Sequence, residues 1–237
     1  MKKIKRLCIF ALMIMVISGT TNDIQTLLAP SITTAKEVAL TIKNGVKDAE
    51  IIVNNNIPEF TEEEKQNTST FEYYSELDEL GRCGVAYANI CKELMPTEER
   101  TEIGHIKPSG WVQAKYDVVD SNPGYLYNRC HLIAFCLAGE NDNPKNLITG
   151  TRFMNVELIL PYETKILNYM KKYPDNHVLY RVTPAFDRDY LVASGVKLEA
   201  WSVEDNGKLH FNVYVKNIQP GVVIDYATGK SILEKVE

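Results

Sequence analysis

His131 lies in the run NRCHLIAF (residues 128–135), between a cysteine and an apolar stretch, in a chain with only four histidines. Further along come Asn146, Asn155 and Glu163. An imidazole with an ordinary pKa of about 6.5 can take a proton from water near neutral pH. A carboxamide oxygen and a carboxylate are hard donors of the kind Mg²⁺ accepts. One neutral Asn155 is a weak ligand, so an ion bound there keeps most of its waters, and Glu163 can hold those waters. An ion so poorly neutralised stays a strong electrophile toward a phosphate, where it stabilises charge on the phosphoryl and leaving oxygens. Arg129 shares a strand face with His131, because alternate residues of a strand point the same way. Cys130 then points away, into packing or a disulfide. Taken singly, each residue has a plainer role. A histidine beside apolar residues is more often structural, a loop Asn is usually a turn residue, and a Glu near a helix start often serves the helix dipole.

The elements that must position these groups can be read from periodicity. GVAYANIC (84–91) alternates as a strand does, and GWVQAKYDVV (110–119) and GYLYNRCHLIAF (124–135) read as two more. AGENDNPKN (138–146) is a loop that delivers Asn146. TRFMNVELIL and PYETKILNYMKKY read as two helical pieces, with Pro161 near the start of the second, where proline is tolerated. HVLYRVTPAF, GVKLEAWSV and KLHFNVYVKN are strands, the last two joined by the turn signal EDNG. Trp111 and Trp201 read as core. The fold class expected is α+β, with a central antiparallel β-sheet.

The first residues carry Lys2, Lys3, Lys5 and Arg6, followed by an apolar run from Leu7 to Ile17. That is the layout of an export signal, too short for a comfortable membrane span. Residues 1–35 are therefore assigned to a signal peptide with any pro-segment, an uncleaved anchor being the alternative. Residues 36–70 are read as an acidic polar linker with one short strand at 49–53, and 71–237 as the functional domain. Export places the chain in an oxidising setting, where Cys83–Cys91 and Cys130–Cys136 are the favoured pairings and four free buried thiols the alternative. The whole chain carries a net charge of −5, concentrated before residue 104, so any polyanion belongs on the middle third and needs a divalent ion to help.

NRCH followed by NPKNLITGTRFMN and PYE resembles the DNA/RNA non-specific endonucleases with a ββα-metal finger, whose signature is Asp-Arg-Gly-His. Within that group the chain is similar to the secreted streptococcal DNases, prophage-encoded ones included. ELDELGRCGVAYANI (76–90), IKPSGW (106–111) and GVVIDYATG (221–229) extend the likeness over most of residues 71–229. The resemblance implies catalytic roles for His131 (the general base), Asn146 and Glu163. It implies Asn155 as the metal ligand, with Glu163 acting on the metal through water, and Arg129 near the substrate phosphate. It implies Mg²⁺ as cofactor, with Mn²⁺ or Ca²⁺ as substitutes, DNA as substrate with RNA as a further one, and 5′-phosphate products. Lys145 and Arg152 are candidate backbone contacts, a solvated charge being the alternative for each. Two positions depart from the signature: Asn128 replaces its Asp and is expected to keep the local hydrogen bonding, and Cys130 replaces its Gly and needs room behind the strand.

The expected protein is a secreted monomer with no lipid or protein partner. Two other classes stay open: a non-catalytic extracellular module that binds nucleic acid, and a thiol hydrolase using Cys130. His105 is a further candidate for the cleft.

Overall fold

The structure, a computed structural model, describes residues 48–235. The expected signal peptide over 1–35 lies outside the described residues. Among the described residues no helix is long and apolar enough to cross a membrane.

The frame is a six-stranded antiparallel sheet in the order β1-β8-β7-β6-β3-β2. Its strands are β1 (Glu50–Ile52), β2 (Glu72–Tyr74), β3 (Ala86–Ile90), β6 (Val178–Ala185), β7 (Gly195–Ser202) and β8 (His210–Lys216). Period-two patterning sets the faces. On β7, Val196, Leu198 and Ala200 enter the core while Lys197, Glu199 and Trp201 alternate with them. Tight turns join β7 to β8 through EDNG, where Asn206 and Gly207 both take positive φ.

The inner face of the sheet carries a second layer. Strands β4 (Tyr127–His131) and β5 (Leu147–Thr151) pair antiparallel, with His131 opposite Leu147 and Asn128 opposite Gly150. A π-helical turn, Met154–Ile159, runs straight into α2 (Leu160–Lys172), and Pro161 sits in the first turn of α2 as expected. Leu158, Ile159, Tyr162, Ile166 and Met170 join the sheet residues Tyr180, Val182, Phe211 and Val213 in one core. Asn217, fully buried at the end of β8, fastens the layers: its Oδ1 accepts from Thr151 N–H, and its Nδ2 donates to the carbonyls of Thr149 and Ala193.

Several expectations need correction. The stretch 110–119 is not a strand; it makes one isolated bridge, Lys115 to Tyr125. In place of a strand, the side chain of Gln113 spans the open edge of β4, donating to the Tyr127 carbonyl at 2.6 Å and accepting from the Tyr127 amide at 3.0 Å. The strand expected over 124–135 ends at His131, and Phe135–Ala138 forms a single helical turn, α1. The short strand expected at 49–53 is β1, paired to β8. Residues after it, inside the stretch read as linker, cover the outer face of the sheet: Phe60 is buried beneath the Arg181 guanidinium, and Glu199 accepts the Glu59 amide. Trp111 and Trp201 are half-buried rather than core.

The four cysteines among the described residues, Cys83, Cys91, Cys130 and Cys136, are free thiols, so neither favoured disulfide is present. Each sulfur has its own local environment. Cys83 Sγ donates to the carbonyls of Pro144 and Leu147, and Cys91 Sγ lies 3.5 Å from Thr70 Oγ1. Cys130 packs in the core against Gly150.

Candidate active site

His131, the last residue of β4, is 8% exposed. The chain beyond it is gripped by Asn146: Oδ1 accepts the Ile133 amide at 2.9 Å and Nδ2 donates to the Ile133 carbonyl at 3.0 Å. The imidazole Nε2 lies 2.8 Å from the Asn141 carbonyl. A carbonyl only accepts, so Nε2 carries the proton and Nδ1 of the neutral ring keeps its lone pair. Burial pushes the His131 pKa down to about 4, and Arg100 presses the same way. The ring is therefore neutral and proton-accepting across the physiological range.

Arg100 is the residue that the sequence reading missed. One guanidinium nitrogen lies 3.5 Å from His131 Nδ1, and its Nε donates to Asn141 Oδ1. Asn141 in turn donates to Thr101, so it ties the loop 138–146 to the loop carrying Arg100 while its backbone carbonyl holds the His131 ring. The Arg100 charge also reaches Glu163.

Glu163, in the first turn of α2, is 7% exposed and has no ion-pair partner among the described residues. Burial pushes its pKa up to about 8, against the opposing pull of the Ala134 amide and Arg100. Asn155 sits in the π-helical turn, where its carbonyl accepts from Leu160 five residues on. Such turns alter which side chains face outward and recur at functional sites. The turn is pinned at its start by Thr151 Oγ1, which accepts the Met154 amide, and by Gln219, which accepts the Phe153 amide.

Asn155 opens into a cleft of about 650 Å³ lined also by Arg100, Arg129, Arg152, Asn128, Trp111, Gln113 and Tyr125. The lining holds three arginines and no carboxylate, on a chain whose net charge is −5. A second cavity, lined by Thr61, Glu63, Glu64 and Asn67, presents carboxylates and is ill-suited to a polyanion. Arg129 spends two donors on the carbonyls of Ile106 and Gly104 and stacks on Trp111 at 4.3 Å. Arg152 makes no side-chain hydrogen bond or ion pair among the described residues, and so is free to meet an anion.

The remaining candidates fall elsewhere. Lys145 pairs with Glu76 and does not line the cleft. Asn146 is fully buried, with both amide groups engaged, so its place is against the backbone beyond His131 rather than in the cleft. His105 is exposed on its loop and does not line the cleft. Asn128 lines the cleft but makes no side-chain hydrogen bond among the described residues, so the expected replacement bonding is not there. The room behind Cys130 comes from Gly150, where an added Cβ would fall 2.6 Å from the Cys130 Cβ. Cys130 is fully buried and burial raises its pKa well above the usual thiol range, which makes it a poor nucleophile for a thiol hydrolase; Cys136, the other candidate thiol, is half-buried and its pKa is also raised by burial.

The donor set fits a hydrated hard cation. The Asn155 amide has no side-chain partner among the described residues, Glu163 has no cation, and no cluster of three His, Cys, Asp or Glu is present there to form a closed cage.

An antiparallel sheet backed by a β4-β5-helix finger is the architecture of the ββα-metal nucleases. The sequence profile of the DNA/RNA non-specific endonucleases matches residues 62–204, and the chain belongs to that family. Crystal structures of NucA from Streptococcus agalactiae superpose on it. The form with no metal bound has a TM-score of 0.66 at 26% identity, covering 81% of this chain and 95% of that one. The form with a magnesium ion bound has a TM-score of 0.65 at 25% identity, covering 81% and 96%. Sda1 nuclease with bound zinc matches at a TM-score of 0.64 and 28% identity, covering 78% and 97%. A deoxyribonuclease from Streptococcus dysgalactiae subsp. equisimilis is 26% identical over 211 residues, 72% of this chain, which spans 63% of that protein's length.

Proposed function

We propose that this chain hydrolyses phosphodiester bonds of DNA, and of RNA as a further substrate, with His131 as the general base. The observation that carries this reading is a neutral imidazole whose Nδ1 lies beside Arg100, a residue that lines a cleft together with Arg129, Arg152 and Asn155, while His131 and Glu163 sit behind that cleft and do not line it. Arg152 and Arg129 hold the backbone phosphates. Nδ1 of His131 takes a proton from a water, which attacks phosphorus in line with the 3′ oxygen. The P–O3′ bond breaks and O3′ takes a proton from a second water, giving a 5′-phosphate and a 3′-hydroxyl, while His131 returns its proton to solvent. Arg100 stabilises the charge that develops on the phosphoryl oxygens. Asn146 and Asn141 are positioning residues for His131. Mg²⁺, or Mn²⁺ or Ca²⁺ in its place, held by Asn155 with its waters on Glu163, supplies further charge stabilisation at the phosphate. The relatives NucA and Sda1, with magnesium and zinc bound, support a metal requirement. The N-terminal layout of basic residues and an apolar run supports secretion, and the chain is read as a monomer.

A gel assay on duplex DNA, single-stranded DNA and RNA, with Mg²⁺ and with chelator, tests this. His131→Ala is expected to lower cleavage at least ~100-fold while the fold survives, and Asn155→Ala to do nearly the same. Full activity in the His131 variant rejects the assignment. Binding without cutting, with or without Mg²⁺, identifies a non-catalytic module instead.

A further inference from the structure

The cleft has a wall that the chemistry above does not use. Of its three aromatic residues, two are committed to the fold. Tyr127 is buried and its hydroxyl donates to the Gly229 carbonyl. Trp111 lies beneath the Arg129 guanidinium. Tyr125 differs: its ring lines the cleft and the residue is 41% exposed. Lys115 Nζ lies 4.7 Å from the ring centroid, yet Lys115 does not line the cleft, so one surface of the ring remains for a ligand.

The backbone that carries the ring is tied on both sides. Lys115 and Tyr125 form a bridge, and Tyr116 N–H donates to the Gly124 carbonyl while Leu126 N–H donates to the Ala114 carbonyl. Gly124 permits this contact, since a Cβ there would fall 2.2 Å from the Tyr116 carbonyl oxygen. A tyrosine has only two side-chain torsions to order on binding, so a tied backbone leaves little conformational freedom to lose.

We propose that Tyr125 is a base-stacking platform for single-stranded substrate, with one unpaired base of the strand being cut against that ring. This rests on the nuclease reading and names its substrate form. Arg129 and Arg152 share the cleft with Tyr125, so phosphate contacts and a planar apolar surface lie together. That combination is how proteins hold unpaired strands without reading sequence, because every base has a π-face. A paired base keeps its faces inside the duplex stack and presents none to the ring.

The test compares the Mg²⁺-loaded wild type, Tyr125→Ala and Tyr125→Phe on a single-stranded oligonucleotide and on the same sequence as duplex. Tyr125→Ala is expected to raise KM for the single strand about thirtyfold, the middle of the range for one stacked base. Its kcat should stay within about twofold, as for loss of uniform binding, with little change on duplex, and Tyr125→Phe should behave as wild type. Equal losses on both substrates, or none, overturn the platform while leaving the nuclease reading intact. Failure of the wild type to cut either substrate overturns the nuclease reading instead. A second measurement needs no cleavage: the fluorescence of a 2-aminopurine oligonucleotide is expected to be quenched on binding to the chain, and the quench to vanish in Tyr125→Ala. An unchanged quench in that variant sinks the platform on its own.

Discussion

Two buried glutamates on opposite sides of the sheet meet opposite fates. Glu199, 1% exposed on the outer face, accepts from Arg181 at 2.9 Å, lies 3.3 Å from Lys197 and accepts the Glu59 amide. Those partners outweigh burial, and its pKa is held below the usual range. Glu163, 7% exposed on the inner layer, has no ion-pair partner among the described residues; burial outweighs the Ala134 amide and the more distant Arg100, and its pKa is pushed up to about 8. A carboxylate that fastens structure is compensated in place. One left uncompensated in a dry setting is available to something that arrives from outside.

The largest effect expected from this contrast is on Glu199. Glu199→Gln removes the anion that Arg181 and Lys197 share under the 59–67 segment, leaving Arg181 with Glu64 at 3.9 Å and Lys197 with Glu59. Breaking a buried pair by removing one partner costs most where the remaining charge is left uncompensated, and with those partners kept the low end of that cost, about 3 kcal/mol, is expected. Denaturant unfolding is expected to show that loss, with cleavage per folded molecule unchanged. A neutral outcome would mean that the outer network is no more than a surface feature.

Glu163→Gln is expected to act in the opposite direction. The folded pKa is raised, so the penalty is absent below the unfolded value of 4.5 and grows as pH climbs toward 8. Removing the charge should therefore stabilise the metal-free chain by up to roughly 3 kcal/mol at pH 7 and by little at pH 4. Cleavage should fall sharply at the same time. Stability lost together with activity would place Glu163 with Glu199, as a structural group.

His131 gives the same contrast in base form. Its folded pKa is depressed, so between pH 6.5 and about 4 the unfolded chain binds a proton that the native chain refuses. Stability is fully present above 6.5 and should fall by roughly 3 kcal/mol on acidification to pH 4. In His131→Ala that part of the acid slope should disappear.

How far the sequence foretold this division follows the same line. Strands β6, β7 and β8 declare themselves because alternation and burial coincide on them. The stretch 110–119 alternates equally well and is not a strand, because the Gln113 side chain does the pairing that its backbone would have done. The acidic composition of 54–67 hides a segment docked through Phe60, Glu59 and Arg181. At the site, residue types at familiar spacings pointed to His131, Asn155 and Glu163. Arg100 and Asn141 carry no periodic signal, since their placement depends on two loops folding together. Asn146 could be singled out by position, but not its direction, which is into the backbone of Ile133.

The smallest expected effect concerns how the finger tolerates Cys130 beside the base. On β5, Gly150 faces the pair Asn128 and lies against Cys130; a Cβ there would come 2.6 Å from Cys130 Cβ and 2.9 Å from Met154 Cε. The Met154 tip can move, but Cys130 Cβ is fixed by the strand. Gly150→Ala should therefore overpack the core by about 1–3 kcal/mol, and the strain falls one residue from His131. Cys130→Gly removes the opposing atoms at the cost of a more flexible strand. The double variant should recover part of the loss, giving a coupling well above the few tenths of a kcal/mol expected of independent sites. Additive losses would mean that the space behind the strand is not shared, and that the cysteine is accommodated by some other means.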